Sequence, residues 1–109
     1  MASDTLSTLA ATISARRLAS GDASYTRQLL DAGPAKCARK FGEEAVEAIV
    51  AALDEDDEAL KAEAADVLYH LLVLLEVRGI RLDEVFSVLE ARMSRSGLAE
   101  KASRSQPQG

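Results

Sequence analysis

KFGEEAVEAIV, Lys40 to Val50, and EAADVLYHLLVLL, Glu63 to Leu75, decide the fold of this 109-residue chain. Both carry apolar side chains at helical spacing, and neither alternates as a strand does. Each also holds two acids three residues apart, Glu44 with Glu47 and Glu63 with Asp66. Side chains at that spacing lie one turn apart on one helical face. Between the two stretches DEDDE, Asp54 to Glu58, interrupts the apolar pattern. The spacing predicts one long helix from Pro34 to Leu53 and another from Asp57 to Arg78, with Asp57 capping the second. A short turn makes them an antiparallel hairpin that directs both acid pairs to a common point.

Upstream of the hairpin, Leu6, Leu9, Ala10 and Ile13 recur at helical spacing behind Asp4, a candidate cap for a first helix. ASGDAS is a polar linker, and Ser24 opens a short helix carrying Leu29 and Leu30. Gly33 stops that helix, and Pro34 suits the first turn of the next. Gly79 ends the fourth helix, and Asp83 to Met93 form a fifth with Val85, Phe86 and Leu89 facing inward. Aromatics are only 4% and no stretch reads as a strand. The expected fold is all-α, a bundle of about five helices built on the long hairpin. One domain spans 1–96, and a polar tail, 97–109, follows without structure.

From Val67 to Leu75 the fourth helix is apolar nearly all round. Such a helix must be covered on all sides. Three short partners do not suffice, so a homodimer is expected to complete the bundle.

A hydrophobic content of 48% fits one domain with a modest core. Thirteen Lys and Arg against 18 Asp and Glu give a net charge of −5, which argues against a general nucleic-acid binder. With Cys37 as the single cysteine, no intrachain disulfide forms, which fits a reducing cytoplasm. The N-terminal residues lack the pattern of a signal peptide. The run Val67 to Leu75 is broken by His70 and falls short of the ~20 residues of a membrane span.

On a helical wheel Glu63, Asp66 and His70 fall within an arc of roughly 60°. They form a narrow polar stripe on a helix committed to burial. Ionised carboxylates there cost several kcal/mol each, to order of magnitude, unless a cation compensates. On the third helix Ala45, Ile49 and Leu53 mark the expected core side, while Lys36, Lys40, Glu43, Glu44 and Glu47 share the other. The plain reading of that face is solvated Lys–Glu pairs, and it fits Glu43 best. Two acid pairs on facing helices can instead enclose a hard cation. Carboxylates without cysteine, beside one histidine, point to Mg²⁺ rather than zinc.

GEEAVE and EAAD, with fifteen residues between Glu47 and Glu63, look like the ExxE…ExxD signature of the all-α NTP pyrophosphatase (MazG-like) superfamily. SYTRQLL, GPAK, RKFGEEAVEAIVAA, EAADVLYHLLVLL and RGIRLDEV together resemble the phosphoribosyl-ATP pyrophosphohydrolase family, over roughly Leu6 to Arg104. Phe41 stands where that family often has a small apolar residue, and Arg81 where it often has a capping residue. The resemblance implies a helical dimer and Mg²⁺-dependent hydrolysis of phosphoribosyl-ATP to phosphoribosyl-AMP and pyrophosphate, in histidine biosynthesis. It implies Glu44, Glu47, Glu63 and Asp66 as metal ligands and Lys36 and Lys40 as phosphate contacts. No cyclohydrolase segment precedes the domain, so a stand-alone enzyme is expected.

Such a reaction needs an activated water and neutralised phosphate charge. Glu43 or Glu47 is the candidate proton acceptor. His70 reads as a hydrogen-bonded structural histidine rather than a metal ligand, and a role as partner of a metal-binding carboxylate fits either reading. Gly42, inside a helix, either is tolerated or permits a close approach. Competing readings are a house-cleaning nucleoside triphosphate pyrophosphohydrolase of the same superfamily and a non-catalytic helical interaction module.

Overall fold

The computed structural model describes residues 2–21 and 23–94 and contains five helices: α1 (Ala2–Leu18), α2 (Tyr25–Ala32), α3 (Pro34–Asp54), α4 (Asp57–Val77) and α5 (Leu82–Ser94). No strand occurs among the described residues, so the all-α expectation holds. The expected tail at 97–109 lies outside them.

The punctuation is chemical. Ser24 caps α2, its Oγ accepting from the Arg27 N–H at 3.1 Å. Gly33, at φ 96°, turns the chain from α2 into α3, and Pro34 occupies the first turn of α3. The cap of α4 is Asp56 rather than Asp57: its Oδ1 accepts from the Ala59 N–H at 2.9 Å. Asp57 and Glu58 fall one step later, where their charge still favours the positive helix end. Asp4 is likewise no cap, because α1 begins at Ala2 and Asp4 lies in its first turn. At the end of α4, Ile80 N–H bonds Leu75 O at 2.9 Å and Gly79 N–H bonds Glu76 O at 2.9 Å. With Gly79 at φ 73°, this is a Schellman stop. Arg81 cannot cap α5 through its side chain, and Glu84 supplies the bond from the other direction, accepting the Arg81 N–H at 2.8 Å.

The core sits at one end of the hairpin. Ile13, Leu29, Leu30, Cys37, Leu72 and Val73 are buried together, with Leu6, Leu9, Tyr69 and Leu75 packed against them. Arg17 Nη1 fastens α1 to the end of α4, reaching Glu76 Oε2 at 2.9 Å and Glu76 O at 3.1 Å. Towards the hairpin turn only Ala51 is buried, with Ala48 and Ala59 half-buried nearby.

Two expectations about inward faces are corrected. On α3 the inward line is Cys37, Glu44, Ala48 and Ala51, whereas Ile49 is 58% and Leu53 78% exposed. Between Glu44 and the turn the inward residues are the small Ala48 and Ala51, which let the two arms approach closely. Isoleucine and leucine are displaced to the outer face, beside Val46 and Val50. On α5 nothing is buried: Val85 and Phe86 are half-buried and Leu89 is 47% exposed. These apolar faces have no cover among the described residues.

Candidate active site

The turn at Glu55–Asp56 acts as a mirror for the acids. Glu47 lies eight residues before Glu55 and Glu63 eight after; Glu44 lies eleven before and Asp66 eleven after. In an antiparallel hairpin with such a tight turn, residues equidistant from it stand level with one another. One carboxylate oxygen from each of Glu44, Glu63 and Asp66 accordingly lies within 4.8 Å of the others. Glu44 and Glu63 are half-buried and Asp66 is exposed, so the cluster opens to one side.

Glu63 is the innermost member. Its Oε1 is buried with no hydrogen-bond partner among the described residues. Burial, followed by the charges of Glu47, Asp66 and Glu44, pushes its carboxyl above the usual range. No Lys or Arg pairs with Glu44, Glu63 or Asp66 among the described residues. An orphaned oxygen amid like charges is a high-energy arrangement without a cation. The donor set is all oxygen, which suits magnesium. The residues therefore fit the ion that the sequence led us to expect.

Glu47 is exposed and lies outside the close group, yet its charge heads the charge effects on Glu63. It borders the cluster. Glu43 is turned away towards Lys40, with Lys40 Nζ donating to its Oε1 at 3.2 Å. That hydrogen bond, with help from Tyr25 and the Glu43 charge, holds the Lys40 ammonium above its ordinary range.

His70 is 6% exposed and packs edge-on against Tyr69, at 5.0 Å between ring centroids, and Tyr25, at 6.3 Å. Burial lowers its pKa, against the opposing pull of Glu44. It stands level with Lys40, fifteen residues from Glu55 on the other helix. No side-chain hydrogen bond of His70 to a carboxylate or other group occurs among the described residues, so ring packing rather than the expected hydrogen bond holds it. A Cβ added at Gly42 meets nothing within 4 Å, so no described residue of this chain approaches it.

Beyond the acids, Tyr25, Gln28 and Leu29 of α2 face Lys36 and Lys40 of α3 across a pocket of about 160 Å³. Sequence reasoning singled out the lysines but missed Gln28. Its signal was the three-residue spacing from Tyr25, which puts both on one face of α2.

The phosphoribosyl-ATP pyrophosphohydrolase family profile matches residues 6–93. A phosphoribosyl-ATP pyrophosphatase 1 of Rhodopseudomonas palustris is 57% identical over 104 residues, covering 95% of this chain and 97% of its own. One from Bradyrhizobium diazoefficiens is 59% identical over 100 residues, covering 92% and 94%. A phosphoribosyl-ATP pyrophosphatase of Cereibacter sphaeroides is 60% identical over 99 residues, covering 91% and 96%. Fold, acid spacing and these relatives agree: the chain belongs to the phosphoribosyl-ATP pyrophosphohydrolase family.

Proposed function

We propose that this protein hydrolyses phosphoribosyl-ATP to phosphoribosyl-AMP and pyrophosphate, a step of histidine biosynthesis, using Mg²⁺ held by Glu44, Glu63 and Asp66 with Glu47 at the border of the cluster. The observation that carries the reading is the carboxylate cluster with the orphaned Glu63 Oε1. Magnesium bound there would supply charge neutralisation for the phosphates and acidify water. The chain's own side chains do the rest. Glu44, Glu63 and Asp66 would hold that ion on the two facing arms of the hairpin. Glu47, exposed at the border of the cluster, takes the proton from the attacking water; Glu43, the other candidate, is occupied by Lys40. Lys40, one turn before Glu44, adds a cationic contact for phosphate oxygens, and Lys36 supplies a second cation farther along α3.

The active unit is a homodimer. Support comes from the uncovered apolar faces: Val46, Ile49, Val50 and Leu53 on α3, Leu68 on α4, and Val88, Leu89 and Met93 on α5. No helix among the described residues is long and apolar enough to cross a membrane. The reading places the enzyme in the cytoplasm, where the free thiol of Cys37 stays reduced.

The test is product analysis with purified protein. Phosphoribosyl-ATP should yield phosphoribosyl-AMP and pyrophosphate, and no single phosphate. EDTA should stop turnover and Mg²⁺ should restore it. Faster cleavage of ATP or dUTP would instead identify a house-cleaning pyrophosphohydrolase.

A further inference from the structure

Phosphoribosyl-ATP, on the reading above, is anionic at both ends. A triphosphate sits on one ribose and a phosphate monoester on the second, across the adenine ring. The cluster of Glu44, Glu63 and Asp66 can meet the first through a metal ion. It repels the second, which carries roughly −1.5 to −2 charges at neutral pH. A monoester so far from the metal needs cations of its own.

Helix α3 offers them at a set distance. Lys36 precedes Glu44 by eight residues, which at ~1.5 Å per residue is about 12 Å along the axis. Lys40, only four residues before Glu44, lies about 6 Å from it by the same measure. Both line the pocket closed on its other side by Tyr25, Gln28 and Leu29. Its volume, about 160 Å³, is below the ~300 Å³ at which small-molecule sites begin, so it accommodates one group of a larger ligand. Lys36 makes no ion pair among the described residues, whereas Lys40 is partly neutralised by Glu43. The first turn of α3, which includes Lys36, contains no acidic residue, and no side chain caps it. Its positive helix end therefore adds to the lysine charges. Donors of three kinds line one small space: ammonium, amide and phenol.

We propose that the pocket of Tyr25, Gln28, Lys36 and Lys40 binds the phosphate monoester of the phosphoribosyl group, with Lys36 as the principal specificity determinant. The proposal rests on the pyrophosphohydrolase reading for the identity of the substrate. It adds a reason for choosing that substrate over ATP, which has no second anionic end. Lys36 lies one turn farther from the acid cluster than Lys40, on the side away from the metal-bound phosphates.

Two measurements test it. The first compares phosphoribosyl-ATP with its analogue lacking the monoester, N1-ribosyl-ATP. Lys36→Gln should reduce kcat/KM for phosphoribosyl-ATP by about 10–100-fold, as expected for one charged hydrogen bond, chiefly through KM. The variant should match the wild type on the analogue, and Lys36→Arg should recover much of the loss. Equal losses on both substrates, or none on either, overturn the proposal. The second titrates ribose 5-phosphate into Mg²⁺-free protein and follows the Tyr25 and Lys40 NMR signals. They should shift in the wild type and not in Lys36→Gln; unmoved wild-type signals overturn the pocket assignment even if turnover is normal. Shifts without any turnover keep the phosphate pocket and overturn the pyrophosphohydrolase reading instead.

Discussion

Glu47 and Glu63 stand level on opposite arms of the hairpin, and after burial the charge of Glu47 is the foremost influence raising the Glu63 pKa. The metal-free protein thus holds a repulsion that a bound cation would relieve. The folded-state pKa of Glu63 exceeds its ordinary 4.5, so its stabilising contribution is present below that value and lost as pH rises through the folded pKa. At pH 7.5 without metal, Glu63→Gln should raise the melting temperature, by a few degrees on the order expected for a chain of this size. Added Mg²⁺ should raise the wild-type melting temperature with concentration and leave the variant unmoved. Calorimetry with and without EDTA reads both effects.

The carboxylates should separate catalysis from folding. Glu44→Gln and Glu47→Gln are each expected to lower kcat/KM by about 100-fold or more, in line with losing one charge-stabilising group. Their far-ultraviolet circular dichroism should match the wild type. Glu43→Gln should cost less, because its partner is Lys40 rather than the acid cluster. Similar losses at all three positions would leave the choice of Glu47 as proton acceptor without support.

His70 gives a pH dependence of opposite sign to that of Glu63. Burial holds its pKa below 6.5, so the unfolded chain binds the proton more readily. Its contribution is present above pH 6.5 and lost as pH falls through the folded value. In a Glu63→Gln background, urea midpoints should drop between pH 7.5 and pH 5, and adding His70→Gln should flatten that drop. An unchanged slope would mean that other groups govern acid sensitivity.

Sedimentation equilibrium at micromolar concentration should give about twice the 11.6 kDa chain mass. Ile49→Asp, on the uncovered face of α3, should shift that value towards the monomer. A wild type that is wholly monomeric and fully folded would remove the case for the dimer.

Element boundaries were legible because their signals are local. Ser24, Gly33, Pro34 and Gly79 act through their own backbone geometry and needed no tertiary partner to be read. Asp57 was mistaken for the cap because two consecutive aspartates offer the same chemistry, and only backbone geometry chooses Asp56. The inward face of α3 was misread for a deeper reason. Hydrophobicity ranks Ile49 and Leu53 above Ala48 and Ala51, but the separation of two close helices selects by size. The acid pairs were found by spacing, whereas their level alignment about Glu55 depended on knowing where the turn begins. Gln28 stayed hidden because its three-residue spacing from Tyr25 gains a meaning only once Lys36 and Lys40 of α3 line the same pocket.

The uneven core has a consequence for how the molecule breathes. The end packed by Ile13, Leu29, Leu72 and Val73 is a conventional apolar keystone, while the arm tips meet mainly through alanines and mutually repelling acids. Amide exchange in metal-free protein should therefore be fast around Ala48 to Leu60 and slow around Leu71 to Leu75, as two separate cooperative units. Magnesium would close the faster unit and leave the slower one untouched. The ion then acts as a detachable core for the hairpin tip, and its loss would disarm the enzyme by local fraying long before the rest of the chain unfolds.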